Sequence, residues 1–495
     1  DKSGFGLALK AALLASASAL TIASIAFANP QGGEVVSGSA TISTPSASTT
    51  QVTQTSDKAI INWQSFNIKA NESTVFVQPG TTSIALNRIF DSNPSVVAGL
   101  LSANGRLILV NRNGMMFESG ATIDTAGLIA SSADISNENF LADRFVFDIA
   151  GNPAARISNA GSITARPTGV VAIVAPSVEN SGIITAKMGR IGLGAGSTFV
   201  LDLQGENLIN FPISPELAER LLGANGGALA DGSANVLLSS AAARSVIDDV
   251  MKLPGDSIAN SIQRSDGSVL LTGPGSGTVT LGGKLDVSGT HGGSIQVSGG
   301  DVFTSGQMLA NGTSGNGGSV SIAAGNFASL TGSISATGLS GGSVGVSARD
   351  ILSAGRIDLD AAYGSGGSVS LNAANRQIAT SSSNISANGA YKGGSIAISG
   401  GEGLFTSGTY GATASGGAGG NVAFGGRDIK MIDARVDASG ATGGGNIAVG
   451  FSGSGATRSI GADTILVSPT STFHADATQS GNGGSVVFWS NLSSD

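Results

Sequence analysis

The chain has 495 residues, a net charge of −8, 76 glycines, no cysteine, and only 12% charged and 5% aromatic residues. Charged residues make up about a quarter of an ordinary globular protein, so this composition favours an elongated repeat structure over compact α/β domains. No dense run of Lys or Arg is present, which argues against a nucleic-acid partner. The absence of cysteine excludes disulfides, thiolate catalysis and Cys-based zinc sites.

Residues 1–28 have the features of an export signal peptide. Lys2 and Lys10 precede an apolar run, and Ala26-Phe27-Ala28 forms a small-x-small cleavage site. We therefore predict cleavage between Ala28 and Asn29. A membrane anchor is the alternative, but the run is short and rich in Ala and Ser, so we expect no stable membrane span. Because the chain begins with Asp and ends inside a repeat, we also expect it to be a fragment of a longer product.

Short strand-like pieces follow between Glu34 and about Leu141, and turn residues separate them. Two similar phrases that end in Ile-Thr-Ala then occur at 157–165 and 179–186, and an apolar strand follows each. The coils of a repeat are therefore predicted to begin by about residue 155.

Two segments break this pattern. Ser214-Pro215-Glu216 begins a short predicted helix through Leu222, with Ser as the N-cap and Pro at the first helical position. Residues 241–251 have the pattern of a second helix. We interpret both as excursions from the coil that pack on one flank, with docking of a partner as the alternative.

From Gly292 onward a repeat of about 25 residues dominates the chain. A Gly-Gly-Ser or Gly-Gly-Asn turn precedes an alternating apolar strand at Gly292, Gly317, Gly341, Gly366, Gly393, Gly419, Gly444 and Gly483. A second strand signal follows at 333–336, 356–359, 384–387 and 435–438. Such repeats are typical of solenoids, so we predict an all-β parallel β-helix of roughly 20 rungs. The phased Val, Ile and Leu argue against a flexible linker, because only a stack buries enough apolar surface to offset the ordering of each coil.

Three phrases in the N-terminal half carry a resemblance to a known family. They are Lys58-Ala59-Ile60-Ile61-Asn62-Trp63-Gln64-Ser65-Phe66-Asn67-Ile68, Leu86-Asn87-Arg88-Ile89, and Asn104 through Phe117. In order, spacing and residue identity, these segments resemble the N-terminal secretion domain of filamentous haemagglutinin-type exoproteins, which belong to two-partner secretion systems. The resemblance runs from about Asn29 to Gln263, and the Gly-rich coils after it resemble the rod of that family.

The resemblance implies a right-handed parallel β-helix with an N-terminal cap. It divides the chain into a two-partner secretion (haemagglutination activity) domain at 29–263 and a β-helical repeat rod at 264–495. It also implies a partner, an outer-membrane transporter whose periplasmic modules recognise the N-terminal domain.

Family members commonly carry Asn-Pro-Asn-Gly where this chain has Asn111-Arg112-Asn113-Gly114, and a second family motif, Asn-Pro-Asn-Leu, is missing. We take Asn111, Arg112, Asn113 and Gly114 as candidates for transporter recognition. A purely structural turn is the alternative, because Asn and Gly tolerate left-handed backbone. Trp63 and Phe66 lie among apolar neighbours and are expected in the core.

Enzymatic chemistry finds no support in the sequence. Parallel β-helix enzymes cluster Asp, Arg or Lys on one face, whereas the aspartates here recur in separate repeats, as on a solvated face: Asp286, Asp358, Asp437 and Asp476. His291 and His474 stand alone without metal-ligand spacing. We therefore predict no catalytic residue, no metal site and no cofactor.

Together these features predict a secreted, adhesin-like exoprotein of a Gram-negative bacterium. We expect it to reach the extracellular space or the cell surface through the periplasm and the outer membrane. Its receptor on a host cell, surface or matrix is unknown. Two alternatives stay open, a stalk that presents a C-terminal toxin or adhesive head and, with less support, a carbohydrate-active β-helix enzyme.

Overall fold

The computed structural model describes residues 29–186, 189–203, 208–210, 251–253, 256–258, 268–272, 278–450 and 461–494. This part of the chain is nearly all β and forms a parallel β-solenoid of about 14 turns, which confirms the predicted fold class. The predicted helix at 214–222 and most of the one at 241–251 lie outside the described residues, and so does the predicted signal peptide. Met251 begins a strand.

The elements of the N-terminal half are β1 (Glu34–Ser37), β2 (Ala40–Ser46), β3 (Thr49–Gln54), β4 (Lys58–Trp63), β5 (Ser73–Val77), β6 (Ile84–Ile89), β7 (Ser95–Val97), β8 (Leu100–Ala103), β9 (Arg106–Asn111), β10 (Gly114–Phe117), β11 (Thr122–Thr125), β12 (Gly127–Ser131), α1 (Asn137–Leu141), β13 (Val146–Phe147), β14 (Arg156–Asn159), β15 (Ser162–Ala165), β16 (Val170–Ala175), β17 (Ser177–Asn180), β18 (Ile183–Ala186), β19 (Arg190–Ala195), β20 (Phe199–Leu201) and β21 (Ile209–Asn210).

The strands of the C-terminal half are β22 (Met251–Leu253), β23 (Asp256–Ile258), β24 (Ser268–Thr272), β25 (Thr278–Leu281), β26 (Lys284–Asp286), β27 (Ser294–Thr304), β28 (Gln307–Leu309), β29 (Ser319–Leu330), β30 (Ser333–Ser335), β31 (Ser343–Ser353), β32 (Arg356–Asp358), β33 (Ser368–Ala379), β34 (Asn384–Ser386), β35 (Ser395–Thr406), β36 (Thr409–Gly411), β37 (Asn421–Met431), β38 (Arg435–Asp437), β39 (Asn446–Val449), β40 (Ala462–Val467), β41 (Thr472–His474), β42 (Ser485–Phe488) and β43 (Ser490–Ser494).

Each turn of the solenoid contributes to three faces. The first face contains β4, β6, β9, β12, β16, β19, β24, the first halves of β27, β29, β31, β33, β35 and β37, then β39 and β42. The second face contains β7, β10, β14, β17, β22, β25, the second halves of the same long strands, then β40 and β43. The third face is a sheet of 16 strands with β2 at its edge, followed by one strand per turn: β3, β5, β8, β11, β15, β18, β23, β26, β28, β30, β32, β34, β36, β38 and β41. We call the turn between the first and second faces the first corner, and the turn between the third and first faces the third corner.

The repeat read from the sequence is the turn of the rod. Each Gly-Gly turn precedes a first-face strand, and the predicted second strands are β30, β32, β34 and β38 on the third face. The roughly 20 rungs predicted refer to the whole mature chain, and the segment between β12 and β14 leaves the coil, which removes about one turn from that number. The described part has about 14 turns.

Inward side chains stack in columns along the interior. In the rod one such column is Ile295, Val320, Val344, Val369, Ile396, Val422 and Ile447, in direct register from turn to turn. All are at most 2% exposed. Burial of a Val or Ile side chain contributes roughly 2 kcal/mol, and each side chain of the column is buried only where the adjacent turns cover it. Every turn therefore depends on its neighbours for stability.

Antiparallel strands close the N-terminal end of the solenoid. β1 pairs with β4 on the first face, and β2 pairs with β3 on the third face. A parallel stack would otherwise present unpaired N–H and C=O groups at this edge. The predicted N-terminal cap is therefore present.

A second layer covers the outside of the first face in the N-terminal half. It consists of α1 and the antiparallel strands β13, β20 and β21, and we call it the outer layer. Phe147 and Phe199 stack there, with ring centroids 4.4 Å apart. The outer layer makes a second hydrophobic core with outward residues of the first face such as Ile60, Leu86 and Ile108. Strands buried on both sides carry continuous apolar runs, which explains Leu107-Ile108-Leu109-Val110.

Candidate transporter-recognition surface

Arg88 ties the outer layer to the first face. Its side chain is only 10% exposed, and Nε lies 2.7 Å from Oδ1 of Asp134. The guanidinium also donates to Oδ1 of Asn137 at 2.5 Å and to the carbonyl oxygen of Ile135. Three donors of one arginine thus hold the segment that enters α1. This gives a physical role to Arg88 within the Leu86-Asn87-Arg88-Ile89 phrase.

Lys58 holds the other end of the same helix. Its ammonium donates to the carbonyl oxygen of Leu141 at 2.7 Å and lies 2.8 Å from Oδ1 of Asp143. A cation at a helix C-terminus satisfies carbonyl groups that lack intrahelical partners. At the N-terminus, Oγ of Ser136 accepts from the backbone N–H of Asn139. Two basic residues of the family-like phrases therefore fix α1, which is too short to be stable alone.

Trp63 and Phe66 lie in the core, as predicted. Each is 1% exposed, and their rings meet edge to face with centroids 5.5 Å apart. Trp63 Nε1 donates to Oδ1 of Asn87 at 2.9 Å, so the indole N–H is satisfied inside the solenoid. Asn87 in turn donates to the carbonyl oxygens of Ala85 and Ile108. Buried Asn87 is therefore a structural partner of the tryptophan.

The Asn111-Arg112-Asn113-Gly114 turn forms the first corner between β9 and β10. Asn111 is fully buried, and its Nδ2 donates to Ser95 Oγ at 2.9 Å and to the Asn93 carbonyl at 3.1 Å. Its Oδ1 accepts from the backbone N–H of Asn113 at 2.9 Å. Asn113 Nδ2 donates to the carbonyl oxygen of Asp91 at 2.9 Å. Both asparagines thus use their side chains to close this corner and join it to the corner below.

Gly114 is required by the close approach of the next turn. Its φ of 100° lies in the region that side chains disfavour. A Cβ here would stand 2.1 Å from the carbonyl oxygen of Arg156. Three of the four motif residues therefore have structural partners that account for them.

The exposed chemistry at this corner comes from Arg112 and Phe90. Arg112 is exposed, and its Nη2 donates to the carbonyl oxygen of Ala150 at 2.9 Å, which positions the guanidinium. Phe90 follows Ile89, which pairs with Asn111, so Phe90 lies beside Arg112 one turn below. Its ring is 67% exposed. The sequence reasoning missed Phe90; its signal was a large aromatic residue directly before the turn residues Asp91, Ser92 and Asn93.

Asparagines from neighbouring turns also meet here. The carbonyl oxygen of Asn93 accepts from Asn111 Nδ2 at 3.1 Å. Asn152 Nδ2 approaches Asn113 Oδ1 at 3.4 Å, and the backbone N–H of Asn152 donates to the Arg112 carbonyl at 2.8 Å. Two of the Asn-Pro pairs in the chain, at Asn93 and Asn152, therefore share the corner with the motif, a link that sequence separation concealed.

Of the four aspartates expected on a solvated face, Asp476 is exposed, Asp358 and Asp437 are half-buried, and Asp286 is buried. Asp286, Asp358 and Asp437 share a register column, but each lies three turns from the next, or about 14 Å. Asp286 is 6% exposed, which corrects the expectation for that residue, and it accepts from the Ser288 backbone N–H. The hydrogen bond from Arg356 to Asp358 raises the pKa of Arg356. These carboxylates act locally in turns and pairs.

Two negative findings apply to the described residues. They contain no group of three or more His, Cys, Asp or Glu side chains that could hold a metal ion. The same part of the chain has no helix long and apolar enough to cross a membrane.

An antiparallel cap, a covered first face and a long parallel stack define the class of the protein, a capped parallel β-solenoid. A family model described as the TPS secretion domain matches residues 26–274. The chain belongs to this family. The crystal structure of the HMW1 secretion domain from Haemophilus influenzae has the same fold, with a TM-score of 0.55 and 23% identity, covering 92% of this chain and 100% of that one.

Curated relatives match over shorter stretches. A heme/hemopexin-binding protein of Haemophilus influenzae is 40% identical over 106 residues, which cover 21% of this chain and 11% of the relative. The heme/hemopexin-binding protein of strain Rd is 32% identical over 187 residues, covering 36% of this chain and 20% of the relative. The match thus spans a fifth or less of the length of these relatives.

Proposed function

We propose that residues 29–263 are recognised by a cognate outer-membrane transporter, which exports the chain from the periplasm of a Gram-negative bacterium to the cell surface or medium. The observation that carries the proposal is the family match over 26–274. Proteins with this domain are secreted across the outer membrane. The solenoid from residue 264 onward is then the exported rod.

The outward rows of the first face support a boundary near residue 264. One row runs in register from Leu86 and Ile108 through Ile129 and later turns to Leu270, and then to Gln296, Ser321 and Ser370. Its first members lie in the core under the outer layer, whereas Ser321 and Ser370 are exposed. The family model ends at residue 274, close to this change.

Within the secretion domain, we place the transporter contact at the exposed side of the first corner, at Arg112 and Phe90. The asparagines and Gly114 then shape the corner and hold these two side chains in place. A solvent-exposed aromatic ring beside a positioned guanidinium is typical of the residues that dominate protein interfaces.

A secretion assay tests the proposal. The full chain is expressed with and without a cognate transporter, and the protein is measured in the periplasm and the medium. We expect transporter-dependent export, at least a tenfold drop for the Phe90→Ser/Arg112→Ala double variant, and periplasmic retention when residues 29–150 are deleted. Arg349→Ala is the matched control, because Arg349 is an exposed arginine of the rod.

The outcomes separate the two levels of the proposal. Export without the transporter would refute two-partner secretion. Normal export of the double variant would refute the first-corner contact alone. In a Trp489→Phe background, fluorescence of buried Trp63 shows whether the double variant and the Arg349→Ala control are folded.

We also propose that the signal peptide is removed between Ala28 and Asn29. The backbone nitrogen of Asn29 lies 2.9 Å from Oε2 of Glu72, and Asn29 is 6% exposed. Cleavage at this bond would place the new α-ammonium directly on a carboxylate. Glu72 Oε2 also accepts from the backbone N–H of Lys69 at 2.9 Å, so the carboxylate is already oriented.

For the exported rod we propose adhesion to cells, surfaces or matrix, since a long solenoid with polar outward rows offers many weak contacts at once. The heme/hemopexin-binding relatives suggest heme capture as a second candidate. The two functions are distinguished by titrating the secreted protein with hemin and following its absorbance band. Saturable heme binding without cell adherence would replace the adhesive proposal.

A further inference from the structure

The tips of the third corner form a single row along the rod. Successive turns place there His291, Ser314, Leu339, Tyr363, Tyr391, Gly416, Thr442 and Gln479. Backbone contacts join neighbouring tips: the Tyr363 N–H donates to the Leu339 carbonyl at 3.2 Å, and the Tyr391 N–H donates to the Gly364 carbonyl at 3.0 Å. We call Leu339, Tyr363, Tyr391 and Lys392 the tyrosine ridge.

The exposure of these tyrosines sets them apart from a structural aromatic residue. The chain has only three tyrosines. Tyr410 is fully buried, bonds Thr406 through its hydroxyl, and has a pKa raised by burial. Tyr363 and Tyr391 are 76% and 73% exposed on adjacent turns. Their rings contribute little to packing, so the fold does not explain their presence.

The surroundings of the ridge leave the rings accessible. The tip residues next to the tyrosines are small: Ala362, Gly364 and Ala390. Lys392 is exposed beside Tyr391 and takes part in none of the ion pairs among the described residues. Adjacent turns of a parallel stack are about 4.8 Å apart, so two aromatic rings and one ammonium occupy a narrow strip.

We propose that the tyrosine ridge binds an acidic glycan. The C–H face of a pyranose ring can stack on an aromatic ring, phenol hydroxyls can hydrogen-bond sugar hydroxyls, and Lys392 can pair with a uronate carboxylate. This inference rests on the proposed adhesive function and names its ligand class.

Other partner classes fit the ridge less well. A stable protein interface buries about 800 Å² on each side, whereas the ridge is one corner flanked by Gly, Ala and Ser. Nucleic-acid binding depends on several Lys or Arg contacts to phosphates, whereas the ridge offers one cation, Lys392. A linear glycan needs only a narrow strip of stacking and polar groups, which matches what the corner offers.

Binding of the full secreted chain to polygalacturonate tests the inference, with neutral dextran as the comparison probe. We expect the wild type to bind polygalacturonate more tightly than dextran, and added salt to reduce the difference. Tyr363→Ser/Tyr391→Ser should weaken polygalacturonate binding at least tenfold. Lys392→Gln should remove the preference for the acidic polymer while retaining residual stacking.

The matched control is Ile378→Ser/Phe405→Ser. These residues are 43% and 39% exposed, in register on the second face of the same rod, and their replacement should leave glycan binding unchanged. Equal binding by the wild type and the tyrosine variant would overturn the inference, as would failure of the wild type to bind polygalacturonate.

A parallel cell-adherence assay separates the ridge from the proposed function. If the wild type adheres to cells but does not bind polygalacturonate, the acidic-glycan ligand is refuted and the adhesive function stands. If the tyrosine variant then also fails to adhere, the ridge binds a protein receptor instead of a glycan. Absence of adherence refutes the proposed function itself.

Discussion

Replacing Arg88 by Met should destabilise the N-terminal part of the solenoid by about 3 kcal/mol. The change removes three hydrogen bonds and leaves Asp134, whose side chain is 17% exposed, without its cation. Breaking a buried ion pair by removing one partner costs roughly 3–5 kcal/mol. We take the lower end because Asp134 Oδ1 still accepts the backbone N–H of Ile135.

Tryptophan fluorescence can follow this effect locally. The chain has two tryptophans, and Trp489 is 53% exposed whereas Trp63 is buried. In a Trp489→Phe background, urea unfolding therefore reports on Trp63. Its strand β4 pairs with β6 and places Asn62 opposite Arg88, so the reporter lies one turn from the change.

Arg144→Met is the matched control. Arg144 also pairs with a carboxylate, Glu138, at 2.8 Å, but the two side chains are 52% and 86% exposed. An exposed pair contributes at most about 1 kcal/mol. A double-mutant cycle with Asp134→Ala should give a coupling of about 2 kcal/mol between Arg88 and Asp134. If Arg88→Met shifts the Trp63 transition no further than Arg144→Met, Arg88 does not anchor the outer layer.

Two further changes test other parts of the structure. Gln377→Leu should stabilise the rod by about 2 kcal/mol, measured by urea unfolding. Gln377 is fully buried between Ile351 and Leu404, and neither the oxygen nor the nitrogen of its side-chain amide has a hydrogen-bond partner. A loss of stability in this variant would mean that the amide is hydrogen-bonded in the folded protein. Glu72→Gln should destabilise the secreted protein by about 1 kcal/mol if its α-ammonium pairs with that carboxylate. Glu34→Gln, at an exposed carboxylate, is the control. If the mass of the secreted protein does not correspond to a chain that begins at Asn29, the cleavage proposal is refuted.

The rod could be predicted from the sequence because its signals are local. A Gly-Gly turn and an alternating strand recur within each 25-residue stretch, and the register of Ile295 with Val320 follows from that phase alone. Trp63 and Phe66 could be placed in the core for a similar reason, since Ile61 and Ile68 stand two positions before Trp63 and two positions after Phe66.

The outer layer could not be predicted because its contacts are distant in sequence. Arg88 reaches Asp134 and Asn137 across more than 40 residues, and α1 is too short for a helical period to stand out. One signal was present: the run Val171-Ala172-Ile173-Val174-Ala175 is apolar at every position. A strand that alternates has one solvent face, whereas such a run requires cover on both sides. The sequence did not indicate which side chains cover this strand.

The same reasoning limits where recognition can be encoded in this fold. Inward positions must fill columns such as Ile295 to Ile447, and a substitution there affects the neighbouring turns above and below. Outward positions on the faces stand in register rows, so a large side chain meets its equivalents on both adjacent turns. The corner tips, where chain length varies between turns, carry the three most exposed large hydrophobic side chains of the described residues, Tyr363, Tyr391 and Phe90. Phe90 and Arg112 at the first corner, and Tyr363 and Tyr391 at the third, occupy such positions, so the corners are where differences in partner or ligand between related solenoids should concentrate.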